Sequence, residues 1–134
     1  MKTILMLEDE PAVMRLMRHM LKQYALIEAT TAEQAYRLFT EHGCGIDLLV
    51  ADLTLPTGSG IRAALLLRAE SPDLPVILTS GYPVGDWSDR DCADLERLGP
   101  TSAIILQKPI RLQVLLETVR ELIGEPRRAA VTGA

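Results

Sequence analysis

One segment sets the architecture of this chain: Ile46-Asp47-Leu48-Leu49-Val50-Ala51-Asp52-Leu53-Thr54-Leu55-Pro56-Thr57-Gly58-Ser59-Gly60. Its apolar part has the length of a buried β-strand and ends in a single carboxylate, Asp52. Pro56, Gly58 and Gly60 then indicate a turn. Because open α/β sheets bind ligands at the carboxyl ends of their strands, this position predicts a functional role for Asp52.

Strand and helix patterns alternate on both sides of this segment. Apolar runs predict four further strands, at 3–7, 25–29, 74–78 and 103–106. Helical spacing and capping residues predict five helices, at 11–23, from Thr30 or Thr31 to the glycines at 43 and 45, at 61–70, from Ser88 to 98, and at 112–123. Such alternation predicts an α/β fold with a doubly wound five-stranded parallel sheet and helices on both faces.

Composition limits the class of protein. The chain has 134 residues, the size of one domain, and 48% of them are hydrophobic, which suits a globular core. The net charge of -4, without a basic run, argues against a nucleic-acid partner. The first apolar run is too short to cross a membrane, so we expect no membrane partner and a cytoplasmic location. Cys44 and Cys92 lack metal-site spacing and are predicted to be free thiols.

Polar groups follow four of the predicted strands: Glu8 and Asp9, Asp52, Ser80, and Lys108. Parallel strands bring their carboxyl ends to one edge of the sheet, so these groups can converge. Clustered carboxylates repel one another unless a cation lies among them, and such oxygen ligands suit Mg²⁺. An ammonium group and a hydroxyl can both contact phosphoryl oxygens. The set therefore fits phosphoryl transfer, with Asp52 as the acceptor.

Each of these groups also has a purely structural explanation. A Glu-Asp pair after a strand is commonly a solvated loop, Asp52 and Ser80 can cap a turn or a helix, and Lys108 can be a surface lysine. The order along the chain favours the functional interpretation, because every strand except the weak second one ends in a group that the same reaction uses. His19 and His42 lie on predicted helices, and we assign them no function.

Four motifs together resemble the receiver domain of two-component response regulators, the CheY-like family. They are Leu7-Glu8-Asp9-Glu10-Pro11, Asp52-Leu53-Thr54-Leu55-Pro56 with Gly60, Thr79-Ser80-Gly81, and Lys108-Pro109. The resemblance covers about residues 2–123 and implies a flavodoxin-like sheet with strand order 2-1-3-4-5. We therefore expect a receiver domain at 1–123 and a short flexible tail at 124–134, without an output domain.

The resemblance also implies roles for the acidic residues. Asp52 would accept the phosphoryl group from a phosphohistidine on a sensor histidine kinase or a histidine phosphotransfer protein. Asp9 and Asp52 would bind Mg²⁺ directly, together with the backbone carbonyl of Thr54. Glu8 would hold a water bound to the metal. The change would be signalled to a downstream protein through protein–protein contacts.

Two more roles follow from the same resemblance. Lys108 would contact the phosphoryl group, and its peptide bond to Pro109 would be cis. Ser80 would swing toward the phosphoryl group; we prefer it to Thr79 because it lies five residues after Pro75, the usual family spacing.

The chain departs from the family in two places. Ile105 stands where relatives usually carry a Tyr or a Phe, three residues before the lysine. The stretch from 81 to 108 is also longer than usual. Both departures affect the surface through which relatives signal.

Several alternatives remain open. The domain can pass its phosphoryl group to another histidine as a phosphorelay intermediate, or it can be a binding module that is not phosphorylated. A haloacid-dehalogenase-like phosphatase would need a second Asp at the position of Thr54, and a flavin site would place a phosphate against the acidic segment 8–10. We therefore expect no enzyme beyond self-phosphorylation and self-dephosphorylation.

Overall fold

A central sheet carries helices on its two faces in the computed structural model, which describes residues 1–42, 45–56, 58–99 and 103–126. The strands are β1 (Thr3–Leu7), β2 (Ala25–Ala29), β3 (Leu48–Asp52), β4 (Thr54–Leu55), β5 (Gly58–Ser59), β6 (Val76–Ser80) and β7 (Ala103–Gln107). The helices are α1 (Pro11–Met20), α2 (Ala32–His42), α3 (Gly60–Glu70), α4 (Asp89–Leu98) and α5 (Leu112–Ile123). The predictions for Cys44 and for the tail from 127 onward lie outside the described residues.

The main sheet is parallel and has the order β2-β1-β3-β6-β7, while β4 and β5 form a separate short hairpin. Counted over its own five strands, the main sheet has the predicted order 2-1-3-4-5, which is confirmed. β3 lies between β1 and β6 and is buried along its whole length. The carboxyl ends of these strands therefore meet at one edge, with Asp52 at the centre.

Two apolar cores cover the two faces of the sheet, because side chains along a strand alternate between its faces. Leu49 and Ala51 pack with residues of α2, α3 and α4. Leu48 and Val50 pack with residues of α1 and α5. This two-sided burial explains the unbroken apolar runs that mark the strands in the sequence.

Three predicted boundaries differ from the structure. α1 ends at Met20 rather than at 23, because Leu21 and Tyr24 continue the buried apolar pattern after the helix has ended. β6 begins after Pro75, which cannot donate a ladder hydrogen bond, and it extends to include Ser80. The β4–β5 hairpin was predicted only as a turn.

Other predictions agree with the structure. Thr31 and Ser88 accept hydrogen bonds from the backbone N–H groups of the residues three positions later, as capping residues do. Cys92 is a free thiol. Within the described ranges, the helices are too short or too polar to cross a membrane.

Candidate functional site

Three carboxylates meet at the edge of the sheet where β1 and β3 end. Glu8 and Asp9 follow β1, and Asp52 closes β3 beside it. One carboxylate oxygen from each of the three residues lies within 4.8 Å of the other two. Glu8 and Asp52 are buried, and Asp9 is half-buried. The predicted acidic cluster therefore exists as a compact group of oxygen ligands.

Lys108 reaches this cluster from the end of β7. Its Nζ lies 3.0 Å from Oε1 of Glu8 and 3.4 Å from Oδ1 of Asp52. Its backbone N–H donates to the carbonyl of Ser80 at 2.7 Å, which fixes the start of the following loop. The peptide bond between Lys108 and Pro109 is cis, as the family resemblance implied. Lys108 thus links the carboxylates that lie at the ends of β1 and β3.

Burial and neighbouring charges shift the pKa values of Asp52 and Lys108. Burial, and then the nearby charge of Glu8, raise the pKa of Asp52 to about 6, although Lys108 and the backbone N–H of Thr54 oppose this shift. Burial acts to lower the pKa of Lys108, but its contacts with Glu8 and Asp52 outweigh burial and raise it. Among the described residues, the Lys108 ammonium group contacts two of the three clustered carboxylates, those of Glu8 and Asp52. The donor set therefore fits a further hard cation such as Mg²⁺.

The hairpin after β3 brings backbone groups close to Asp52. The backbone N–H of Thr54 donates a hydrogen bond to the Asp52 carboxylate. The exposed hydroxyl of Thr54 lies 3.2 Å from the hydroxyl of Tyr82. Gly60 packs against the end of β3, where a Cβ atom would collide with the carbonyl oxygen of Asp52 and lie 2.9 Å from the Cβ of Ala51. Close approach of the backbone therefore requires a glycine at position 60.

Ser80 is placed differently from the other predicted site residues. It is 1% exposed, and its hydroxyl donates to the carbonyl of Tyr82. The same hydroxyl accepts from the Tyr82 N–H at 3.2 Å and from Nε1 of Trp87 at 3.3 Å. Thr79 pairs with Asp52 between β3 and β6, and its buried hydroxyl has no hydrogen-bond partner in the described part of the chain.

Sequence reasoning missed Tyr82 and Trp87 as neighbours of the site. Both lie in the segment between β6 and α4, which has no helical or strand periodicity. The available signal was compositional: Trp87 is the only tryptophan of a chain in which 4% of residues are aromatic.

The chain is similar to known proteins over the strands and helices from β1 to α5. A family described as "Response regulator receiver domain" matches residues 4–120. The sensor kinase CckA of Brucella abortus is 32% identical over 125 residues, which cover 90% of this chain but 12% of that protein. The polar-differentiation response regulator DivK of Brucella ovis is 27% identical, over 92% of this chain and 98% of that protein.

A solved structure also matches closely. The response regulator protein TrrA from Thermotoga maritima, in complex with Mg²⁺ and BeF, has a TM-score of 0.74 and 27% identity. The match covers 91% of this chain and 99% of that one. The chain spans nearly all of DivK and TrrA, but only a small part of the sensor kinase.

Proposed function

Since the chain belongs to the response regulator receiver domain family of two-component signalling, we propose that Asp52 is its phosphoacceptor. The observation that carries this proposal is the position of the Asp52 carboxylate, which is buried at the end of β3 and lies 3.4 Å from Nζ of Lys108. A nucleophile next to a cation suits phosphoryl transfer, which depends mainly on positioning and charge neutralisation.

The reaction transfers one phosphoryl group. A carboxylate oxygen of Asp52 attacks the phosphorus of a phosphohistidine, so that an O–P bond forms while the P–N bond breaks. The leaving imidazole keeps the electron pair of that bond and takes up a proton from water. Lys108 neutralises charge on the phosphoryl oxygens, and Glu8 holds its ammonium group at 3.0 Å. Hydrolysis of the resulting acyl phosphate resets Asp52.

Mg²⁺ is the metal that we propose for the acidic cluster. Asp9 and Asp52 would hold it directly with the backbone carbonyl of Thr54, and it would supply further charge neutralisation for the phosphoryl group. Both oxygens of Glu8 already accept hydrogen bonds, from Lys108 and from the N–H of Glu10 at 3.1 Å. This occupancy supports an indirect role for Glu8, through a water.

An apolar groove beside the site is our candidate for docking of the phosphodonor. It has a volume of about 370 Å³ and is lined by Val13, Leu16, Met17, Met20, Lys108, Pro109 and Ile110. Lys108 belongs both to this groove and to the cluster around Asp52. A phosphohistidine can reach Asp52 only if the donor covers the adjoining surface. We therefore propose that the apolar helix face around the donor histidine of a kinase or phosphotransfer protein binds here.

The chemistry that we propose is limited to this chain's own phosphorylation and hydrolysis. A phosphatase of external substrates would need a second carboxylic acid at the position of Thr54. The free thiol of Cys92 is compatible with a reducing cytoplasm, where we propose that the protein works.

Mass spectrometry of the intact protein tests the phosphoacceptor directly. After incubation with acetyl phosphate and Mg²⁺, we expect the protein to gain the mass of one phosphoryl group. Asp52→Asn should gain nothing, whereas Asp73→Asn, a change at an exposed aspartate, should behave as the wild type. No gain in the wild type, or an equal gain in Asp52→Asn, would overturn the proposal and favour a binding module that is not phosphorylated.

A further inference from the structure

The hydroxyl of Ser80 is fully engaged by one short segment of the chain. A serine hydroxyl has one donor and two acceptor positions. It donates to the Tyr82 carbonyl and accepts from the Tyr82 N–H and the Trp87 indole N–H. These contacts use its whole capacity. Ser80 can therefore donate to a phosphoryl oxygen on Asp52 only if it gives up its hydrogen bond to Tyr82.

Trp87 is held in place by both packing and hydrogen bonds. Its side chain is 6% exposed and packs in the apolar core that also contains Leu78 and Leu95. Its indole N–H has two acceptors, the Ser80 hydroxyl and the Tyr82 carbonyl, each at 3.3 Å. Its backbone N–H donates to Val84 at 3.0 Å, which closes the turn before α4. The ring is thus a buried support for the hydroxyl.

We infer that Trp87 is a positioning residue that holds the Ser80 hydroxyl away from Asp52, and that the Trp87 indole N–H loses its contact with this hydroxyl when Asp52 is phosphorylated. This inference rests on the proposed function. When Ser80 turns toward the phosphoryl group, the Tyr82 carbonyl loses its hydroxyl donor. The indole N–H loses one of its two acceptors at the same time. A buried donor that loses a partner favours a new conformation of its segment.

The 82–87 segment connects Ser80 to an exposed surface. The hydroxyl of Tyr82 lies 3.2 Å from that of Thr54, two residues after Asp52. Tyr82 and Thr54 also line a groove of about 490 Å³ that includes Arg62 and Arg90. A change at Ser80 therefore reaches a surface that a partner protein can contact, by a route that needs no aromatic ring on β7.

Because Trp87 is the only tryptophan, its fluorescence reports on this segment alone. We expect addition of Mg²⁺ and beryllium fluoride, a stable mimic of the phosphoryl group, to shift the emission of the wild type to the red as the indole gains contact with water. Asp52→Asn should abolish the shift. Ser80→Ala should also abolish it, and Ser80→Thr, which keeps a hydroxyl, should restore it.

A kinetic variant tests the restraint itself. Trp87→Phe keeps a ring in the core but lacks the N–H that holds Ser80. We expect phosphorylation by acetyl phosphate to become roughly two- to tenfold faster, the range that one neutral hydrogen bond supports. Tyr36→Phe removes a hydrogen bond to Glu70, on other elements of the fold, and should leave the rate unchanged. Circular dichroism verifies that both variants are folded.

The outcomes separate this inference from the proposed function. If the wild type gains a phosphoryl group on Asp52 but its emission does not change, the inference is overturned and the phosphoacceptor stands. A full wild-type shift in Ser80→Ala overturns the inference as well. If no phosphoryl group is gained at all, the proposed function itself fails.

Discussion

Lys108 and Glu8 form an ion pair across the edge of the sheet, although 100 residues separate them along the chain. Nζ of Lys108 lies 3.0 Å from Oε1 of Glu8, and Glu8 is 1% exposed, so its charge has little access to water. Removing one partner of a buried pair destabilises a protein more than the intact pair stabilises it, because the other charge stays buried alone. The effect of this ion pair on the stability of the fold can therefore be measured by mutating one or both residues.

We expect Lys108→Met to lower the free energy of unfolding by about 3 kcal/mol at pH 7, since Glu8 and Asp52 then face each other without the ammonium group. Urea denaturation measures the change. The double variant Glu8→Gln, Lys108→Met removes one buried charge together with its partner, so it should recover part of the loss. Equal stability of the single and double variants would contradict this account of the pair.

Protonation of Asp52 makes the stability of the metal-free protein depend on pH. The pKa of Asp52 is raised to about 6 in the folded protein by burial and by Glu8, so the folded state holds this proton more tightly than the unfolded chain does. The contribution of Asp52 to the free energy of unfolding should therefore fall as pH rises from about 4 to about 6. At pH 7 the ionised Asp52 destabilises the fold, by an amount on the order of 3 kcal/mol.

Asp52→Asn should accordingly be more stable than the wild type at pH 7 in the presence of a chelator, and this advantage should disappear near pH 4. Urea denaturation at a series of pH values gives the comparison. Asp73→Asn, at an exposed position, should follow the wild type throughout. The account of Asp52 fails if Asp52→Asn is no more stable at pH 7, or if its advantage persists at pH 4.

Much of the sheet could be predicted because burial on both faces leaves its strands without polar alternation. The polar residues at the strand ends then indicated the site, since parallel strands bring those ends together. Strand order came from the family resemblance, because alternation alone allows several orders. The end of α1 could not be predicted, since Leu21 and Tyr24 stay buried beyond the helix.

The hydrogen bonds of Ser80 could not be predicted from the sequence for a different reason. They depend on how residues 82–87 fold back onto β6, and that segment has no apolar periodicity from which its path can be inferred. The spacing from Pro75 to Ser80 identifies the residue but says nothing about the direction of its hydroxyl. Only the structure brings the Trp87 indole to within 3.3 Å of it.

Mg²⁺ should stabilise the fold through the acidic cluster. At a concentration ten times its dissociation constant, the ion should raise the free energy of unfolding by about 1.4 kcal/mol. Asp9→Asn removes one ligand charge and should lose most of this effect, whereas Asp73→Asn should retain it. Urea denaturation at constant ionic strength, with and without Mg²⁺, measures this change in the free energy of unfolding for each variant. An equal Mg²⁺ effect in Asp9→Asn would exclude Asp9 as a ligand.

Gly60 should tolerate no side chain. A Cβ atom at this position collides with the carbonyl oxygen of Asp52, which lies in a fully buried strand and cannot move aside. We expect Gly60→Ala to lower the free energy of unfolding by about 2 kcal/mol or more. Gly58→Ala is the matched control in the same turn, because nothing lies within 4 Å of its added Cβ, and its effect should stay within about 0.5 kcal/mol. Similar losses in both variants would contradict the steric explanation.

The apolar groove beside Lys108 should determine transfer from a protein donor but not from a small molecule. Leu16 lines this groove on α1 and is 48% exposed, so Leu16→Glu places a charge on the docking surface with little effect on the core. We expect transfer from a histidine kinase that phosphorylates the wild type to slow by more than about tenfold, since the donor must bury that charge. Phosphorylation by acetyl phosphate should not change.

Leu66→Glu provides the matched control for this groove. Leu66 is 49% exposed and lies on α3, which packs on the other face of the sheet from α1. Transfer from the same kinase to Leu66→Glu should proceed at the wild-type rate. If both variants slow equally, the effect comes from charge or stability in general, and if neither slows, the donor approaches Asp52 over a different surface. The rate of phosphorylation should be measured with the kinase and with acetyl phosphate for each variant. Acetyl phosphate needs the acidic cluster and Lys108 but no docking surface, so a loss with the kinase alone identifies a defect in docking rather than in phosphoryl transfer.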